Sequence, residues 1–383
     1  MRPCFALIPA ALALAAIPAT AQKQASKPEL HIDVATHAMP GMPGMGALGR
    51  LAGAMGGASA RASYGMARHP GMPGRYLDVA LHNRSEPGLP ARQQVPKGLR
   101  VGDHIDLLPR ERSGGGDNDG GASPATANAA GDGTFQVRYY WGCGDKAGAG
   151  QPLRYTVTFR GGKVVQNGKA PPPRNVAGFE AAARDVLWQN PSSRKAVSGN
   201  ASLAGTHTLT GGGLAGPMEF ELTAEHDFMP ALELESVKGQ GDGMLLRWNR
   251  IEGARAYFIH ATAMDGDTMV MWSSSADAYA GPELNGFLGS REIAQWTGKR
   301  TLLPADAGEC RIPPGVFTGS AAPMVQMAAH GGSHAITTTA GTVHVRNKST
   351  AMLMPGVAGS VGEAAKPSAK DAAKGVLKGL FGR

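Results

Sequence analysis

Residues 134–144, Thr-Phe-Gln-Val-Arg-Tyr-Tyr-Trp-Gly-Cys-Gly, set Phe135, Val137, Tyr139 and Trp141 against Gln136 and Arg138, then end in a cysteine between two glycines. Alternation with a period of two places one side-chain set on a buried face and the other outside, as a half-buried strand does. The pattern returns in Leu153 to Phe159, through Tyr155, Val157 and Phe159, so two adjoining strands of one sandwich are expected. Upstream, Tyr76 to His82 and Val101 to Leu108 read as strands, and downstream so do Thr206 to Leu209 and Met218 to Leu222. The pattern changes kind at His226-Asp-Phe-Met-Pro230. After it come Leu232-Glu-Leu234, Met244 to Trp248, Ala254 to Ala261 and Met269 to Trp272, which read as consecutive short antiparallel strands. Before the tail, helical spacing is confined to Phe179–Leu187, which should stop before Pro191, and to a short helix capped by Ser290 and running through Trp296. The expected class is mainly β: two β-sandwich-like domains with a few short helices, a disordered N-terminal arm and a C-terminal tail.

The ends have their own logic. One positive charge in Met1-Arg2-Pro3 precedes an apolar run from Cys4 to Ile17, and Ala19-Thr20-Ala21 supplies a small-x-small cleavage site. This is the order of a secretion signal, so the mature chain should begin at Gln22 and work in a periplasm or cell envelope. The apolar run is shorter than the roughly 20 residues a membrane-spanning helix needs, and no later segment reaches that length, so no transmembrane segment is expected in the mature chain. Cys4 stands at the start of the apolar run rather than at its end, and so cannot be a lipid-bearing cysteine. Cleavage leaves Cys143 and Cys310, which in an oxidising compartment should form a disulfide. Closing so long a loop is worth about 4 to 5 kcal/mol on chain-entropy grounds. Neither cysteine sits in a CxxC pair.

The divisions that follow are a signal peptide at 1–21, a Met/Gly/Pro-rich flexible arm at 22–75, and a β-rich domain at 76–227 containing a flexible loop at 113–133. A second sandwich at 228–347 and a tail at 348–383 complete the chain. His31 to Val34 in the arm reads as a first strand. The formal charge of +8 favours anionic partners such as lipid headgroups or acidic polymers. Aromatic residues make up 6% of the chain, and no arginine stripe interleaves with them, which argues against nucleic-acid binding.

Trp248 closing one strand, Gly253-Ala254 and then Tyr257 opening the next resemble a fibronectin type III β-sandwich over residues 228–347. The resemblance implies that Trp248 and Tyr257 pack in a core, and it carries no activity. It departs from that family between Asp277 and Pro314. Taken with Tyr139-Tyr-Trp-Gly-Cys-Gly144, the chain also resembles a group of uncharacterised exported proteins of Gram-negative proteobacteria, which implies no activity either.

Among residue clusters with chemical meaning, the methionines stand out: Met39, Met42, Met45, Met55, Met66 and Met72 fall in one short stretch. Thioethers are soft ligands suited to Cu(I), and Met39, Met42 and Met45 beside His37 could wrap one copper ion. Against this stands a compositional drift of Met-Pro-Gly repeats, or an adaptable apolar surface. His330-Gly-Gly-Ser-His334, with His344 following, reads as solvated loop histidines because two glycines interrupt it. Asp117-Asn-Asp119-Gly120 lacks the remaining ligands of a calcium loop, and Gly211-Gly-Gly213 reads as a turn. The sequence has no GxSxG elbow and no P-loop Gly-Lys-Ser/Thr. In the tail, Ser368 could cap a helix whose apolar side holds Leu377 and Leu380, with Lys370, Lys374 and Lys378 alongside and Phe381 beyond. The reading is a non-enzymatic exported protein that binds or scaffolds in the envelope. The alternatives are periplasmic copper binding by the Met-rich arm, and an enzyme whose active site lies between domains.

Overall fold

The computed structural model describes residues 27–40, 63–69, 71–110, 133–160, 163–171, 176, 179–238, 243–278, 281–318 and 322–355. Within these residues the protein is mainly β. Its strands are β1 (Glu29–Ala38), β2 (Gly74–His82), β3 (Ala91–Gln94), β4 (His104–Pro109), β5 (Gly133–Trp141), β6 (Leu153–Arg160), β7 (Lys163–Gly168), β8 (Val186–Trp188) and β9 (Gly205–Gly211). They continue with β10 (Met218–Leu222), β11 (Glu235–Lys238), β12 (Met244–Arg247), β13 (Ala256–Asp265), β14 (Thr268–Ser273), β15 (Leu303–Pro304), β16 (Glu309–Ile312), β17 (Met324–Thr337) and β18 (Thr342–Leu353). The one α-helix among the described residues is α1 (Ser290–Gly298).

One hydrogen-bonded path runs β10-β9-β3-β4-β8-β2-β1-β18-β17-β13-β14-β5-β6-β7, with β15 beside β13, and a separate sheet runs β11-β12-β16. At its centre, β1 lies parallel to β18, with His31 opposite His344, and antiparallel to β2. Leu30, Ile32 and Val34 of β1 face one side, where they meet Val79, Leu99, Leu209, Phe220 and Val343 in the first core. The path therefore curls so that β3, β9 and β10 cover the middle strands. Farther along the same side, β11, β12 and β16 cover β13, β14 and β17, enclosing Leu246, Tyr257, Ile259, Trp272 and Met327 in a second core. On the other side of β13, Ala256 and Phe258 pack under Leu284, Leu288, Ile293 and Trp296.

The chain passes between the two cores at residues 224–230: Phe228 belongs to the first and Met229 to the second. Two polar side chains of the central strands fix this crossing. Asn347 Nδ2 donates to the Glu225 and Asp227 carbonyls at 2.8 and 3.2 Å, and Thr36 Oγ1 donates to the Met229 carbonyl at 2.7 Å. Gly331, at a register shift in β17, lets Asn347 reach across, because a Cβ there would lie 2.0 Å from Asn347 Oδ1.

Several sequence expectations change in the structure. The arm expected at 22–75 contains the central strand β1, which extends past Val34 to Ala38. The tail expected from 348 begins inside β18, where Lys348, Ser349 and Ala351 are buried. Strands from both sides of the expected 227/228 boundary share one sheet, since β5 pairs in parallel with β14. The expected helix at Phe179–Leu187 is a turn closed by Ala182 N donating to Asp185 Oδ2 at 2.7 Å, followed by β8. Val186, Leu187 and Trp188 are all buried in a strand flanked by β2 and β4, and such a contiguous apolar run carries no period that separates strand from helix. The helix expected from Ser290 to Trp296 is present as α1, with Ser290 as its first residue. The capping contact comes from Glu292, whose carboxylate accepts the Gly289 N–H at 2.9 Å. The Gly211–Gly213 turn is as expected, with φ of 78°, 62° and 70°.

Cys143 and Cys310 lie at bonding distance, with an S–S separation of 2.10 Å, tying the loop after β5 to β16. Trp248 and Tyr257 are both buried with ring centroids 5.6 Å apart, and the Tyr257 hydroxyl accepts the Ile251 N–H at 3.2 Å. No helix among the described residues is long and apolar enough to cross a membrane.

Candidate functional site

The side of the central strands opposite the first core is polar, and it follows directly from alternation. In β1 the residues between Leu30, Ile32 and Val34 are His31, Asp33 and, farther on, His37; in β18 the residues alternating with Val343, Val345 and Asn347 are His344, Arg346 and, just beyond, Lys348. Parallel register sets His31 beside His344, Asp33 beside Arg346, and Ala35 beside Lys348. Asp78 of β2 lies opposite Asp33, and His330 of β17 lies opposite Lys348. The result is a buried charged seam along four strands.

At its middle, Arg346 donates through Nε and Nη2 to both oxygens of Asp33, at 2.7 and 2.6 Å, with both side chains buried. A two-pronged guanidinium–carboxylate pair is the geometry that best offsets the cost of burying two charges. Lys348 is 1% exposed and donates to the backbone carbonyls of Arg68 and Asn285 at 2.8 and 2.7 Å. The Phe287 ring lies 4.6 Å from the Lys348 ammonium and 5.2 Å from the Arg346 guanidinium. Burial pulls the Lys348 ammonium down from the ordinary lysine range to about 7, against the opposing pull of Asp33. Burial likewise pushes the Asp78 carboxyl up to about 8, although it accepts the Ala67 N–H at 2.9 Å. His330 and His37 are held neutral by burial, at about 3 and about 4, with Lys348 adding repulsion in both cases. Residues 63–69 lie over this part of the seam: Ala67 packs with Ala35 and Phe287, and Arg68 donates to the Phe179 carbonyl at 2.6 Å.

At the other end of the seam the groups are half open. Glu29 and His344 are partly exposed, whereas His31 is buried, its ring stacked 3.5 Å from Phe179 and 4.8 Å from His344. Burial drives His31 down to about 3, helped by repulsion from His344, Arg346 and His82. His82 is oriented by Asp185, whose Oδ1 lies 2.7 Å from its Nδ1, and its Nε2 accepts from Arg84 Nε at 3.0 Å. A second group, Glu225, His226 and His334, lies near the crossing between cores.

The seam was not anticipated from the sequence. His330 and His334, expected as solvated loop histidines, belong to β17, where His330 is wholly buried and Gly331-Gly332 is a bulge inside the strand. A His-x-Asp-x-x-x-His alternation interleaved with Leu, Ile and Val, and its echo His344-x-Arg-x-Lys348, was the available signal: two strands with one apolar and one ionisable face. Of the copper ligand set expected from spacing, His37 points into the seam with Nδ1 2.8 Å from Thr350 Oγ1, and Met39 follows the strand end. Met42, Met45 and Met55 lie outside the described residues, as do residues 1–21, the 111–132 segment, and Lys370, Lys374, Leu377, Lys378, Leu380 and Phe381.

No family model, no curated protein and no solved structure matches this chain.

Proposed function

We propose that the chain is an exported, non-enzymatic binding or scaffolding protein of the cell envelope. The observation that carries the reading is the Cys143–Cys310 pair, which joins segments far apart in sequence at bonding distance. Such a bond persists in an oxidising compartment and would be reduced in most cytoplasms. It accords with the charged-then-apolar order of residues 1–21.

The inner part of the buried seam favours a structural role over catalysis. Lys348 spends donors on two carbonyls of its own chain, and Arg346 spends two on Asp33, so the strongest charges fasten the 63–69 and 285 segments to the sheet. The basic tail, with Lys370, Lys374 and Lys378 beside Leu377, Leu380 and Phe381, is the proposed contact with an anionic envelope surface.

The test is expression of the full chain beside a version ending at Lys366, followed by fractionation, mass analysis of the N-terminus, and salt washing of membranes. The expected result is a chain starting at Gln22, with Cys143 and Cys310 oxidised, found in the envelope and released by high salt or by the truncation. A chain retained in the cytoplasm with free thiols would overturn the reading. Equal solubility of both versions would remove the tail's role.

A further inference from the structure

We infer that Glu29, His31 and His344 form a binding site for a divalent first-row transition ion, with zinc(II) the occupant to be tested. The inference is independent of where the protein resides. It begins with register: because β1 and β18 run parallel with His31 beside His344, both imidazoles stand on the same face, one strand spacing apart. Glu29, two residues before His31, stands on that face as well, so three ligand-bearing side chains come from two adjacent strands rather than from a mobile loop.

The atomic spacing suits an ion. His31 Nε2 lies 3.3 Å and His344 Nε2 3.8 Å from Glu29 Oε2, and the three ligand atoms lie within 4.8 Å of one another. Zinc–ligand bonds of about 2.0 to 2.1 Å place neighbouring tetrahedral ligands about 3.3 Å apart. The Glu29–His31 pair already has that spacing. His344 completes the set by turning its ring out of the stack, and its partly exposed position near the start of β18 leaves room for the turn.

A second observation points to a ligand. His31 is only 9% exposed, and its Nε2 is buried with no hydrogen-bond partner, although it faces the Glu29 carboxylate. A buried imidazole nitrogen left without a partner costs free energy that a bound cation would offset. Asp33 pairs with Arg346, a fixed positive charge that acts on His31, and so offsets part of its repulsion of an ion. Two imidazoles and one carboxylate leave coordination positions open to water or to a further ligand on the solvent side.

The second histidine pair differs in a way that makes it a control. His226 Nδ1 accepts the Thr223 N–H at 3.0 Å, so the neutral ring carries its proton on Nε2, the nitrogen that faces Glu225 and His334. That nitrogen then has no lone pair to offer.

The experiment uses the tag-free mature chain, stripped with chelator, and titrates zinc(II) against a chromophoric competitor for the wild type and for Glu29→Gln, His344→Ala and His334→Ala. Cobalt(II) absorption and zinc-dependent thermal protection of the same four proteins give readouts that also report folding. We expect one zinc per chain, bound at least about tenfold more weakly in Glu29→Gln and His344→Ala and unchanged in His334→Ala. In those two variants the cobalt bands and the thermal protection should be lost while the metal-free melting temperature stays near wild type. No binding at about 100 µM zinc, where a site would give about −5.5 kcal/mol or better, overturns the inference. So does binding that survives both variants, or binding lost only in His334→Ala.

Discussion

Replacing Lys348 by Met removes a buried ammonium while keeping most of its volume, and the consequence should depend on pH in a way that a packing change alone would not. In the folded chain the ammonium is pulled down to about 7 from 10.5, chiefly by burial. The unfolded chain therefore takes up a proton between these values that the folded chain does not hold. Stability contributed by Lys348 is lowest below pH 7 and rises with pH through the window from about 7 to 10.5. The slope approaches about 1.4 kcal/mol per pH unit, and the whole window is worth about 5 kcal/mol. The charged and titratable groups facing Lys348 are Asp33, Asp78, Arg68, Arg346, His37, His69 and His330. Asp78, held up at about 8, acts in the opposite sense, since its proton is lost from the folded chain only as pH passes 8. Subtracting the variant's curve from the wild type's isolates the lysine. The variant also strands the Arg68 and Asn285 carbonyls, at about 1 to 3 kcal/mol. The assay is urea unfolding of both proteins between about pH 6 and 10, followed by tryptophan fluorescence. The wild type should be the more stable at the alkaline end and lose that advantage toward neutrality; a difference that does not vary with pH would refute the reasoning.

Two further outcomes follow from the same seam. His31, His37 and His330 are held neutral well below the ordinary histidine value of 6.5, so the unfolded chain binds protons first as pH falls. Stability should drop steadily from about pH 6.5 toward pH 4, seen as a falling urea midpoint, and a midpoint flat over that range would contradict it. Asp33→Asn leaves the Arg346 guanidinium buried without a carboxylate and should cost about 3 to 5 kcal/mol in chemical denaturation. A loss under about 1 kcal/mol, the level of an exposed pair, would mean that water reaches the site.

Local alternation was enough to identify a mainly β chain. Thr134 to Trp141 and Met244 to Trp248 each turn one set of side chains inward, and a strand's period is a property of a few consecutive residues. The expectation of a cleaved signal carrying Cys4 was enough to single out Cys143 and Cys310 as a pair, and the structure sets the two at bonding distance. The short helix at Ser290 was legible for the same local reason. The β8 segment was not, because Val186, Leu187 and Trp188 are buried together and a fully covered strand shows no period.

The pairing of distant strands was decided only in three dimensions. That β1 would run parallel to β18, more than three hundred residues later, is written in no local pattern, since register depends on which apolar faces meet across a core. The seam inherits that property. His31, Asp33 and His37 by themselves look like polar residues of a half-exposed strand; they become a buried site only because β18 sets His344, Arg346 and Lys348 beside them, and because residues 63–69 and Phe287 close over the top. Alternation is a short-range consequence of backbone geometry, whereas the joining of two alternating faces is a long-range consequence of burial. The sequence could therefore say that these residues lie on strands, and the tertiary structure alone could say that they face one another.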